Sequence, residues 1–113
     1  MDKGDVVRLR HMLDAAREAQ SFVVGKSKED LVEDRMLVLA LLKDIEILGE
    51  AANKVSEPTK EKLPNIPWHQ IIGMRNRLIH GYFDVNLDIV WETVTRELPT
   101  LYDELEKVIA QHR

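Results

Sequence analysis

The chain has 113 residues and a mass of 13.1 kDa, with 44% hydrophobic residues, 32% charged residues and a net charge of −4. This balance suits one folded domain over residues 1–113 with a single core, and excludes a disordered tail or a surface that coats nucleic acid throughout. The absence of cysteine excludes disulfides, thiolate metal sites and a cysteine nucleophile, and the longest apolar run, Met36 to Leu42, is far too short to cross a bilayer.

The N-terminal Met1-Asp2-Lys3-Gly4-Asp5 leads into a charged helix rather than an apolar signal region, so a cytoplasmic protein is expected. The first helix is predicted from about Asp5 to Val24, with Gly25 as a left-handed stop. Val6, Leu9, Leu13, Ala16 and Val23 form one apolar stripe, and Met12, Ala15, Ala19 and Phe22 form a second beside it. Two stripes imply a helix touched on two sides.

Ser27-Lys28-Glu29-Asp30 reads as a capping box opening a second helix that reaches roughly Val55. Its seam is Leu31, Val38, Leu41, Ile45, Leu48, Ala52 and Val55, a spacing suited to shallow packing on another long helix. Such a helix would span roughly 40 Å at ~1.5 Å per residue. Met36, Ala40, Ile47 and Ala51 extend its apolar surface, enough to serve a second protomer. Ser56 to Pro67 breaks the pattern with three prolines, leaving room for one helical turn over Thr59–Leu63. A third helix begins near Pro67, runs through Ile79 and ends at Gly81, with Gly73 inside it at a cost of ~1 kcal/mol relative to alanine. Close approach of another backbone is one reason for a glycine there, and surface neutrality is another. The fourth helix starts near Asn86 and holds Leu87, Val90, Trp91, Val94, Leu98, Leu101, Leu105 and Val108 in register. Pro99 makes it either one kinked helix or two that meet there. The fold class is therefore all-α, an up-and-down bundle of four to five helices.

Charge is unevenly distributed. From Lys60 to Tyr82 four Lys/Arg face Glu61 alone, a local +3 that leaves −7 for the rest of the −4 total. Within this window lies Arg75-Asn76-Arg77-Leu78-Ile79-His80-Gly81-Tyr82. A local basic site on an acidic body suits one or two phosphates. Arg75 and His80 are five residues apart, about 140° around an ideal helix, so they share no face of a continuous one. Either the helix end turns the histidine, or a second copy of the chain completes the site.

The residue set suits cleavage of an RNA phosphodiester with neither metal nor cofactor. A histidine exchanges protons near neutrality with the 2′-hydroxyl or the leaving oxygen. An arginine fork neutralises charge gathering at phosphorus. Asn76 offers a group to orient the imidazole or hold a phosphate oxygen, and Arg77, pointing away from Arg75, fits a surface or phosphate-positioning charge. Tyr82 offers phosphate binding, stacking or a modifiable hydroxyl. A plainer reading stands beside this one: an arginine and a histidine near a helix C-terminus meet the negative end of its dipole without any catalysis. Trp68 and Trp91 read as core or interface aromatics, and the isolated His11, His69 and His112 lack metal-ligand spacing.

The stretch from Ile66-Pro67-Trp68 through Met74–Phe83, then Asp88-Ile89-Val90-Trp91 and Leu98-Pro99-Thr100-Leu101, resembles the HepT toxins of the HEPN superfamily. The R-x4-H pattern with its H-x-Y ending is matched in full by Arg75, His80 and Tyr82. The resemblance implies an all-α homodimer whose R-x4-H motifs meet in a cleft between protomers. It implies a metal-independent ribonuclease toxin acting on RNA rather than DNA, with Arg75 and His80 as the catalytic pair and Asn76 as polar companion. It also implies a cognate antitoxin, an MntA-like nucleotidyltransferase that AMPylates the motif tyrosine, here Tyr82. The rival expectation is a non-catalytic helical partner that binds nucleotide or presents substrate to such a nucleotidyltransferase.

Overall fold

The structure, a computed structural model, describes residues 1–78 and 84–112. Its elements are α1 (Lys3–Phe22), α2 (Lys28–Glu33), α3 (Arg35–Lys54), α4 (Glu57–Lys62), α5 (Trp68–Ile72), α6 (Met74–Leu78), α7 (Leu87–Glu92) and, after a π-helical turn over Thr93–Glu97, α8 (Leu98–Ala110). They form the expected all-α bundle, a slab of 43 × 28 × 19 Å.

Asp2 caps α1, its carboxylate accepting the Gly4 N–H at 2.6 Å. Gly25 takes the left-handed conformation foreseen for it, φ 74°. α1 packs on α3 along one side and on α8 along another, which accounts for its two stripes. Leu9, Met12, Leu13, Ala15, Ala16 and Ala19 are buried, whereas Phe22, at the helix end, is exposed.

The single long helix expected from Ser27 to Val55 is instead two. The chain bends at Asp34 (φ −115°, ψ 88°), whose carboxylate accepts the Leu37 N–H at 3.0 Å and so starts α3 afresh. A short acidic side chain competes with the helix ladder for its own backbone, which is why the break falls there. Ser27 donates its backbone N–H to the Asp30 carboxylate at 2.7 Å, the reach-back half of the foreseen box. The core seam crosses the bend intact: Leu31, Val38, Leu41, Ile45, Leu48, Ala52 and Val55 are all buried. Met36, with 82% of its surface exposed, and Leu39 face outward.

Beyond α3, the Ser56 corner is tied to the start of α1. Asp5, buried, accepts the Ser56 N–H at 3.0 Å, the Ser56 hydroxyl at 2.6 Å and the Thr59 hydroxyl at 2.5 Å. Trp68 donates its indole N–H to the Leu63 carbonyl at 3.1 Å, seating α5 on the proline-rich connection. The third helix is broken at Gly73 into α5 and α6, the low helix propensity of glycine deciding the point. The close backbone approach considered for Gly73 occurs at Gly49 instead. A Cβ on Gly49 would stand 3.4 Å from the Ile71 carbonyl oxygen and 3.7 Å from that of Ile72, so α5 lies directly on α3. Ile79 and Gly81, the expected end of the third helix, lie outside the described residues.

Asn86 caps α7, accepting the Ile89 N–H at 3.1 Å. Ahead of Pro99 a π-helical turn joins α7 to α8, with the Leu98 N–H reaching back to Thr93 O. Proline cannot donate to the carbonyl four residues back and crowds it, and the wider turn relieves both problems. No helix among the described residues is long and apolar enough to cross a membrane.

Candidate functional site

α6 is a single short helix whose inner face, Met74 and Leu78, is buried while Arg75, Asn76 and Arg77 are exposed. Burial of the two apolar residues fixes the helix and so fixes the three polar ones. The Leu78 carbonyl accepts the Asn86 N–H at 2.9 Å, tying the chain before residues 79–83 to the chain after them. His80 and Tyr82, the expected catalytic histidine and modified tyrosine, lie outside the described residues.

Arg75 stands on a ridge between two grooves of α3. On one side a groove of ≈ 300 Å³ is lined by Glu46, Gly49, Glu50, Asn53 and Asn76 among others, so Arg75 and Asn76 are brought together as expected. On the other side a groove of ≈ 230 Å³ joins Arg75 to Arg35 and Lys43 over an apolar bed that includes Leu39, Leu42 and Val85. Arg77 belongs to neither groove. It turns away from Arg75 and donates to the Gln70 carbonyl at 3.4 Å.

The electrostatics differ from the linear charge count. Arg75, foreseen in a stretch whose one carboxylate is Glu61, meets another in space: its Nε lies 3.6 Å from Glu46 Oε2. Glu46 is also 4.0 Å from Lys43 Nζ. The Arg75 and Glu46 side chains are 51% and 37% exposed, and such a pair contributes at most about 1 kcal/mol. An incoming phosphate with two anionic oxygens can therefore displace Glu46 from the guanidinium, whose fork geometry suits bidentate binding.

Arg35, Lys43 and Glu46 were not singled out from the sequence, because on a helix rich in alternating charges they read as a solvated face. The available signal was their spacing: 35, 39, 42, 43 and 46 fall on one side of α3, with Gly49 one turn on marking where another element sits close. Trp68 and Trp91 are partly buried against the core, as expected of packing aromatics.

A family model described as ribonuclease HepT-like matches residues 12–108. A protein of Caldanaerobacter subterraneus subsp. tengcongensis named "Putative RNase TTE0752" is 37% identical over 105 residues, covering 93% of this chain and 94% of the relative. One of Methanocaldococcus jannaschii named "Putative RNase MJ1380" is 32% identical, covering 96% of this chain and all of the relative (100%). A Thermococcus cleftensis protein named "Probable ribonuclease HepT" is 36% identical over 80 residues, covering 71% of this chain and 73% of its own. No solved structure matches the chain significantly. An all-α bundle that presents Arg75 and Asn76 on an exposed helix end, with the R-x4-H sequence running on from it and a family match from residue 12 to residue 108, belongs to the HepT-like ribonuclease family.

Proposed function

We propose that the protein is a metal-independent endoribonuclease, the toxin of a two-component system, acting as a homodimer through Arg75 and His80. The observation that carries this reading is the gathering of Arg75, Arg35 and Lys43 around one groove, with His80 five positions after Arg75 in the sequence. Three cations of two different helices are suited to a polyanion backbone, with Arg75 placed to bind the scissile phosphate and Lys43 a neighbouring one. The apolar bed of Leu39 and Leu42 suits the face of an unstacked base.

In the proposed reaction the ribose 2′-oxygen attacks phosphorus and gives its proton to an imidazole. The P–O5′ bond breaks, the leaving oxygen takes a proton from an imidazolium, and a 2′,3′-cyclic phosphate remains. Arg75 neutralises the charge that gathers on the non-bridging oxygens, and Asn76 holds one of them or orients the histidine. Two protomers facing each other across the exposed side of α3 and α6 supply both imidazoles. Met36 and Leu39 of α3 and Ile72 at the end of α5, just before α6, are exposed apolar residues and support such a pairing.

An MntA-like nucleotidyltransferase is the proposed antitoxin. It moves an adenylyl group from ATP to the Tyr82 hydroxyl with release of pyrophosphate, setting a negative charge beside the cationic groove and repelling RNA. The purified protein is expected to cleave RNA in the presence of a chelator, and His80→Ala to abolish cleavage while the helical spectrum is retained. Cleavage that survives His80→Ala overturns the assignment. Tight binding of a nucleotidyltransferase and of nucleotide without any cleavage supports the non-catalytic alternative. Peptide mapping after co-expression with the antitoxin is expected to place AMP on Tyr82, and a mark on another residue removes the regulatory half.

A further inference from the structure

The side of α3 away from Arg75 carries a second polar feature that the nuclease reading does not use. Asp44 is two residues from Glu46 and so points to the opposite side of the helix. It is 3% exposed, and its Oδ2 has no hydrogen-bond partner. It lines a pocket of ≈ 190 Å³ between α1 and α3, whose other walls are His11, Asp14, Glu18, Ala15 and Ile47. Asp14 is already engaged from outside by Arg17 at 2.7 Å, which leaves Asp44 and Glu18 as the carboxyls that address the pocket.

A buried acceptor without a donor is costly, the more so when charged, so the site calls for something that donates. An anion is excluded by the carboxyls. A chelated metal has no support, since among the described residues no group of three or more His, Cys, Asp or Glu could hold one. The pocket is smaller than the ~300–1,000 Å³ that whole small molecules occupy, so it takes a terminal group on a chain. Ala15 and the partly exposed Ile47 offer apolar wall to that chain. We propose that the pocket is a receptor for an alkylammonium or guanidinium group, with Asp44 as its buried anchor and Glu18 as the second carboxyl at the cation.

Without a cation Asp44 favours its protonated form. Burial pushes the Asp44 carboxyl up to about 7, and the hydrogen bond and negative charge of Glu18 add to the rise. A cation that replaces this proton binds more tightly as pH rises, by up to about tenfold per unit below that value and little further above it. The titratable groups facing the pocket are His11, Asp14 and Glu18 of α1 and Asp44 of α3.

The test is calorimetric titration of the full chain with methylguanidinium and with butylammonium at pH 6 and pH 8. Saturable binding, tighter at pH 8 and lost in Asp44→Asn and weakened in Glu18→Gln, is the expected result. Asp44→Asn keeps the shape of the side chain and can donate to Glu18, so its fold is expected to survive, as circular dichroism will show. Sedimentation velocity then separates the sources of the cation. Self-association that is reversed by the amine and absent in Asp44→Asn identifies a basic side chain of a second copy, whereas an unchanged mass identifies a free amine. Both support the proposal. Absence of saturable binding at pH 8, or equal binding by Asp44→Asn, overturns it.

Discussion

Two carboxylates of α3, Glu46 and Asp44, stand two residues apart and have opposite surroundings. Glu46 is half-exposed and faces cations on α6 and on its own helix. Asp44 is buried and faces another carboxyl on α1. The first arrangement is weak and replaceable, which is what a ligand site needs. The second is strong, unfavourable when ionised, and therefore reports on pH. One helix thus separates the part of the molecule proposed to do chemistry from the part where stability is at stake, and variants on either side should behave differently.

Among the variants that test the two sides of α3, the largest effect is expected at Arg75. Arg75→Ala removes the proposed phosphate fork and should lower RNA cleavage by about 10²–10³-fold, the range found when one transition-state donor is deleted. Its ion pair is half-exposed, so the melting temperature should barely move. Arg75→Lys keeps the charge and loses the bidentate geometry, and should fall between the two. A large loss of stability in Arg75→Ala would erase the contrast between the two sides of α3.

Next comes Asp44. Its folded value near 7 lies above the unfolded 3.8, so the fold prefers the protonated form. Stability from this group is fully present below the unfolded value and is lost as pH rises from about 4 through about 7. Asp44→Asn removes the ionisation and should be the more stable protein at pH 8 by on the order of 2–3 kcal/mol, with the difference fading toward pH 4. Denaturant midpoints at pH 4, 6 and 8 check this. If the pocket takes a cation, adding methylguanidinium at pH 8 should return most of that stability to the wild type alone.

Asp5 gives the comparison its third point, because it is buried like Asp44 yet surrounded by donors. The hydroxyls of Ser56 and Thr59 hold its carboxyl below the ordinary value, with the Ser56 N–H adding to them against the cost of burial. Here the sign reverses: the contribution is present above pH 3.8 and is lost as pH falls through the lowered folded value. Asp5→Ala should cost about 2 kcal/mol at pH 7, since it strips the α1–α4 corner of its shared acceptor and leaves donors unpaired. The cost should shrink as pH falls through the lowered folded value. Thermal unfolding across that range is the measurement.

These three carboxylates and one arginine also mark how far the sequence could be read. The core was legible because apolar periodicity is local: every residue of the Leu31–Val55 seam is buried. Arg75 and Asn76 were legible because the motif is contiguous. Element boundaries were less so. Asp34 looked like one more charge on a helix until its side chain was seen capturing the Leu37 N–H, and the π-helical turn before Pro99 leaves no pattern in residue types. Contacts between distant segments were not legible at all. Asp5 and Thr59 are 54 positions apart, and Glu46 reaches Arg75 only because Gly49 lets α5 lie against α3. Charge counted along a chain misses such meetings, and here it made the surroundings of Arg75 more cationic than they are.

The smallest effect, and the sharpest test of the proposed site, is expected at Glu46. Glu46→Gln keeps the length of the side chain and a weak acceptor for Arg75, so stability should change by less than about 0.5 kcal/mol. The variant does remove a negative charge that RNA phosphate must displace. Binding of a non-cleavable RNA should tighten about two- to fivefold at low salt, and the gain should fade at 1 M salt, where the screening length shrinks to ~3 Å. Lys43→Ala should act in the opposite direction and flatten the salt dependence by about one phosphate contact. If Glu46→Gln instead weakens binding at every salt concentration, then Glu46 holds Arg75 in the only posture RNA accepts, and the ion pair is part of the binding site rather than a restraint upon it.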